Sequence, residues 1–133
     1  MEYKKKSDLK VTCIASPEDF EFFGITVDDI LDRTPAGYNF LKKAKKLAGT
    51  TQHVEWTNVA YTLQISMLRD ERVALEFSEC IDDYVASLKN SMAMADEQTR
   101  QPLEDFIKML EKSDEDMARR LVARFERNIR EEA

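Results

Sequence analysis

Few side chains in this chain of 133 residues could break or make bonds. His53 is the only histidine, and no nucleophile motif accompanies it, so it reads as a surface or packed imidazole rather than a general base. Cys13 falls in a strand pattern and Cys80 at a helix start, and without a C-x-x-C spacing both read as reduced structural thiols. Asp28 with Asp29 and Asp82 with Asp83 are sequence neighbours, which point apart on a helix and suit capping or solvation better than a shared proton or a metal. A glycine-rich phosphate loop and an H-E-x-x-H pair are both missing from the sequence. The expectation is a protein that is not an enzyme, with no catalytic residue, no cofactor and no metal.

The remaining chemistry is that of contact. Phe22, Phe23 and Trp56, with Phe125 further on, are the rings that could anchor a partner, because large aromatic side chains dominate interface energies. Their alternative is burial beneath neighbouring helices. Lys42, Lys43, Lys45 and Lys46 could make a basic patch for phosphate or an anionic membrane, but no aromatic residue interleaves with them and a solvated helix face is the simpler reading.

Strands and helices must hold these residues, and the clearest strand signal is Val59 to Phe77. Val59, Tyr61, Leu63, Ile65 and Met67 alternate with Ala60, Thr62, Gln64 and Ser66, and Val73, Leu75 and Phe77 repeat the pattern after Arg69 to Arg72. This predicts a hairpin with one apolar face. Leu9, Val11, Cys13 and Ala15 supply a third strand, expected beside Val73 to Phe77. Even-numbered Val54 and Trp56 precede the odd-numbered pattern and predict a bulge or bend near Asn58.

Ser16-Pro17-Glu18-Asp19 signals a short helix over Pro17 to Phe23, stopped by Gly24, and Thr26 caps a second turn carrying Ile30 and Leu31. Thr34-Pro35 starts a longer helix with Tyr38, Leu41, Ala44, Leu47 and Ala48 on its apolar face, Phe40 beside them, and Gly49 as its stop. After Phe77 the period becomes helical. Ile81, Tyr84, Val85, Leu88 and Met92 form one stripe within Glu79 to Ala93; Leu103, Phe106, Ile107 and Leu110 form a second starting beside Pro102. A third, capped at Ser113 to Asp116, carries Met117, Leu121, Phe125 and Ile129 with Val122 alongside. The fold class expected is α+β, a small three-stranded, mostly antiparallel sheet in the order β-α-α-β-β covered by helices. Residues 1–79 would form that module and 80–133 a helical extension of two to three helices.

The net charge of −6 opposes phosphate backbones, so nucleic acid is not an expected partner. No run of 18 apolar residues occurs and no hydrophobic leader precedes the first strand, so the expectation is a cytoplasmic protein without membrane contact.

The order of elements, with Ser16, Glu18-Asp19-Phe20, Phe23-Gly24-Ile25, Asp29-Ile30, Phe40-Leu41 and the alternating hairpin, resembles the N-terminal domain of the MecA family. Members of that family are adaptors that deliver substrates to a Clp-type AAA+ unfoldase and its protease. The resemblance spans about 70 residues, from Leu9 to Ser78. Phe23 stands where the family often has an arginine, and helices follow where larger members carry a second α/β domain. The resemblance implies a non-enzymatic adaptor that captures partner polypeptides, with surplus apolar helix faces in the tail for self-association or a second protein. Sheet-edge pairing is a physically reasonable capture mode. Two other readings are open: a ligand-binding or hydrolytic α+β domain with a pocket lined by His53, Glu55, Trp56 and Tyr61, and a transcriptional regulator that dimerises through its tail.

Overall fold

The computed structural model describes residues 1–57 and 60–132, with side chains described up to residue 127. The fold is α+β, with a four-stranded antiparallel sheet and six helices among the described residues. The strands are β1 (Glu2–Ser7), β2 (Lys10–Ala15), β3 (Thr62–Met67) and β4 (Val73–Ser78), in the spatial order β1-β2-β4-β3. The helices are α1 (Pro17–Phe23), α2 (Val27–Leu31), α3 (Pro35–Gln52), α4 (Ile81–Ala93), α5 (Glu97–Lys112) and α6 (Glu115–Glu132).

The chain divides into two compact units, Met1–Trp56 with Leu63–Ser78 and Thr57–Thr62 with Glu79–Ala133. In the first, β2 and β4 pair antiparallel, with Val11 opposite Phe77, Cys13 opposite Leu75 and Ala15 opposite Val73. These six alternate residues are all fully buried and form the centre of the core. The strand at Leu9 to Ser16 thus lies beside Val73 to Phe77, as expected.

A fourth strand corrects the count of three. β1 pairs antiparallel with β2, with an irregularity between Lys5 and Ser7. Its sequence, Glu-Tyr-Lys-Lys-Lys-Ser, lacks apolar alternation because it lies at the sheet edge and most of it is exposed. Edge lysines discourage pairing with another sheet. β3 takes the opposite edge and is shorter than its alternation suggests. It starts at Thr62; Val59 and the bend expected near Asn58 lie outside the described residues, while Ala60 packs with the helical unit. Leu63 and Ile65 are only half-buried and Met67 is 62% exposed.

The two short helices begin as the sequence predicts. Ser16 and Asp19 form a reciprocal capping box, as do Thr26 and Asp29, so at each helix start two backbone N–H groups, those of the capping residue and of the residue three positions on, are satisfied. Gly24 ends α1 in the left-handed conformation at φ 68°. Phe20 and Ile30 face inward.

The long helix α3 departs from expectation at both its apolar face and its end. Phe40, Leu41, Ala44 and Ala48 are the buried residues, whereas Tyr38 and Leu47 point to solvent. The predicted face was rotated because Phe40 takes the inward place, where Phe20 and Phe23 pack on it at 5.7 and 5.2 Å between ring centroids. Gly49 does not stop the helix. It lies inside it, buried, because the Trp56 ring rests there and a Cβ would sit 2.5 Å from the indole nitrogen. The stop is His53, exposed and left-handed at φ 56°.

In the helical unit, Val85, Ile107, Leu110, Ala118 and Val122 are buried, with Ile81, Tyr84, Leu88, Met92, Phe106 and Leu121 packed around them. α4 starts at Ile81, two residues later than the stripe implied, while Glu79 is buried and accepts hydrogen bonds from the Thr57 backbone (2.7 Å) and hydroxyl (2.6 Å). α5 starts five residues before Pro102, because Asp96 caps it through the Thr99 N–H and leaves the proline inside the helix. α6 starts where Ser113 to Asp116 predicts, with Asp114 accepting from Met117 N–H at 2.8 Å. The third stripe is shifted by one position: Ala118 and Val122 are buried, Leu121 and Phe125 half-buried and Met117 exposed. The Ile129 side chain lies outside the described residues.

Candidate interaction surface

The four candidate anchors have different surroundings. Phe22 is 84% exposed, the most exposed aromatic ring among the described residues of the α/β unit. Its neighbour Phe23 is half-buried and sits between it and the core: the Phe22 and Phe23 rings meet edge to face at 5.2 Å, and Phe23 meets Phe40 at 5.2 Å. Seven residues of α1 thus turn Phe20 and Phe23 inward, three apart on one face, and leave Glu18, Glu21 and Phe22 together on the other. This aromatic ladder fixes Phe22 at its base while leaving its ring in water.

Trp56 is half-buried, donating its indole N–H to the Lys45 carbonyl at 2.8 Å and lying 5.0 Å under the Lys45 ammonium. That contact explains why Lys45 is buried while Lys42, Lys43 and Lys46 are exposed. The four lysines therefore do not form one uniform face. Phe125, in the helical unit, stacks on Phe106 at 4.5 Å and is half-buried. Phe22 and Phe23 are brought together; Trp56 is engaged with α3 and Phe125 with α5.

Of the residues proposed to line a pocket, His53 and Glu55 are exposed, the Trp56 ring fills the space over Gly49, and Tyr61 groups with the helical unit. Cys13 is buried, and burial pushes its thiol up to about 12 against a weaker downward pull from the chain's amino group. Tyr84 is also pushed upward, by burial and then by donating its hydroxyl proton to Glu126 at 2.6 Å. Among the described residues no group of three His, Cys, Asp or Glu is placed to hold a metal ion, and no helix is long and apolar enough to cross a membrane.

Carboxylates near the exposed ring are held charged by their caps. Slight burial works against Asp19, but the Ser16 backbone N–H, the Ser16 hydroxyl and the Met1 ammonium at 3.3 Å together hold it below the usual carboxylate range. The Thr26 backbone N–H does the same for Asp29, with help from the Thr34 and Thr26 hydroxyls.

Sequence reasoning did not single out Leu31 as a surface residue; it placed Leu31 with Ile30 as an apolar anchor. Ile30 is 2% exposed and Leu31 56%, because a helix of five residues can turn only one of two adjacent side chains inward. The signal was available in the spacing, since Phe20 to Ile30 repeats Ser16 to Thr26, whereas Leu31 falls where α1 has Glu21.

No family model, curated protein or solved structure matches the chain.

Proposed function

We propose that this chain is a non-enzymatic adaptor whose α/β unit binds partner polypeptides, in the manner that its resemblance to the MecA N-terminal domain implies. The observation that carries the reading is Phe22. A phenylalanine left 84% exposed and seated on a second, half-buried ring gives up apolar burial that the fold had available at the adjacent position. An interface recovers that burial. Exposed Met94, Met109 and Met117 in the helical unit give it adaptable apolar surface for self-association or a second protein.

A photo-crosslinking residue placed at position 22, with the same residue at exposed Glu55 as a control, tests the reading in cells. The expected result is polypeptide adducts from position 22 well above the control, with a Clp-type unfoldase the specific protein to look for among copurifying chains. A solitary monomer by light scattering with no adduct from either position would overturn it.

A further inference from the structure

The outward faces of α1 and α2 are built alike. Each helix carries a reciprocal capping box and a buried apolar residue four positions after its cap, Phe20 after Ser16 and Ile30 after Thr26. Each also presents one large apolar residue to water between two exposed carboxylates: Phe22 with Glu18 and Glu21, and Leu31 with Asp28 and Asp32. Among the described residues none forms an ion pair with those four carboxylates. Asp19 and Asp29 cap the helices, so the other four acids are surplus to the caps.

Two of them are badly placed for stability. Glu21 lies in the last turn of α1 and Asp32 is the C-cap of α2, where the partial negative charge of the helix end repels a carboxylate and neither last turn has a basic residue. An exposed apolar residue beside a carboxylate at the wrong helix end occurs once on each helix. Local choices that work against the fold mark positions kept for another purpose.

We infer that the outward faces of α1 and α2, separated in the chain only by Gly24 to Thr26, together form a docking site for a basic polypeptide segment carrying apolar side chains, with Phe22 and Leu31 as its apolar contacts and Glu18, Glu21, Asp28 and Asp32 as its charge-matching rim. Charge complementarity selects this occupant. From Ser16 to Asp32 the chain has six acidic residues, Glu18, Asp19, Glu21, Asp28, Asp29 and Asp32, and no basic one; Arg33 follows and the Met1 ammonium pairs with the capping Asp19, which leaves the six acids in excess over two positive charges. An acidic segment would be repelled, and a neutral one would strip water from four carboxylates without pairing them. This inference rests on the proposed polypeptide-binding role and names its substrate class.

Fluorescence anisotropy on the full chain tests it, using three labelled peptides of equal length that share Leu and Phe positions but place Lys, Ser or Glu between them. The Lys peptide is expected to bind at least tenfold more tightly than the other two and to weaken as salt screens the rim. Phe22→Ala with Leu31→Ala, and separately Glu21→Gln with Asp32→Asn, are each expected to weaken it about tenfold or more. A charge-matched control, Glu97→Gln with Asp116→Asn in the helical unit, is expected to leave it unchanged. All six positions are exposed, and circular dichroism verifies that the variants fold.

Equal loss in the control would mean diffuse attraction to an acidic chain and would overturn the inference, as would equal binding of the Glu peptide. So would self-association that Phe22→Ala abolishes, since the occupant would then be a second copy. Peptide binding untouched by the α1 and α2 variants would sink this surface but keep the polypeptide-binding role. If no peptide bound at any charge, both would fall.

Discussion

At the scale of single residues, position in the α1 ladder decides whether a ring serves the fold or the surface. Phe40 is 2% exposed and receives both Phe20 and Phe23, so Phe40→Ala is expected to cost about 3–5 kcal/mol. Phe22→Ala should stay within about 0.5 kcal/mol of the parent, since an exposed ring loses little on truncation. Urea unfolding of the two variants measures this contrast. Glu21→Lys provides a sharper test, because it replaces a carboxylate at a helix C-terminus with a favourable charge. It should raise stability by about 0.3–1 kcal/mol while weakening basic-peptide binding, an opposition that a purely structural glutamate would not show. The same denaturation and anisotropy measurements read both sides.

At the scale of elements, close approach explains what the glycines do. Adding a methyl group at Gly37 would drive it into the Asp29 carbonyl, and at Gly49 into the Trp56 ring. Gly37→Ala is therefore expected to destabilise by about 1–3 kcal/mol. Gly49→Ala should also shift the fluorescence of the single tryptophan to the red as its ring is pushed into solvent, which an emission spectrum would record. Much of the element structure was legible, and for identifiable reasons. Capping residues act locally, so Ser16, Thr26, Thr34 and Asp114 marked their helix starts whatever the rest of the chain did. Alternation reports strands only where one face is at least partly covered, which reveals β2, β4 and the half-buried β3 but not the exposed, lysine-rich β1. Gly49 misled because a glycine looks the same in sequence whether it ends a helix or makes room for a ring, and Trp56 lies seven residues away. The exposed Phe22 was named from its type alone; that it, rather than Phe23, faces water depends on the Phe40 contact, which no local pattern encodes.

For the whole molecule, ionisation limits stability at both ends of the pH scale. The carboxyls of Asp19, Asp29 and Asp96 are held below their ordinary value in the folded chain, so their stabilisation is present above about pH 4 and is lost as pH falls below it. The Cys13 thiol and the Tyr84 hydroxyl are shifted upward instead. Each contribution is complete below the group's unfolded value, near pH 9 for the thiol; the thiol's disappears as pH climbs through about 12, and the hydroxyl's is lost only as pH rises above its ordinary range. Melting temperature against pH should therefore fall on both sides of a plateau, and Cys13→Ala should flatten part of the alkaline side. The chain's two sheet borders are unlike: three lysines line β1, and β3, with the sequence Thr-Leu-Gln-Ile-Ser-Met, has no charge. Joining of sheets border to border then has one permitted side per molecule, and a growing stack would end as soon as two uncharged borders met. Crowded samples of this protein should stop at pairs where a sheet with two unguarded borders would go on to fibres.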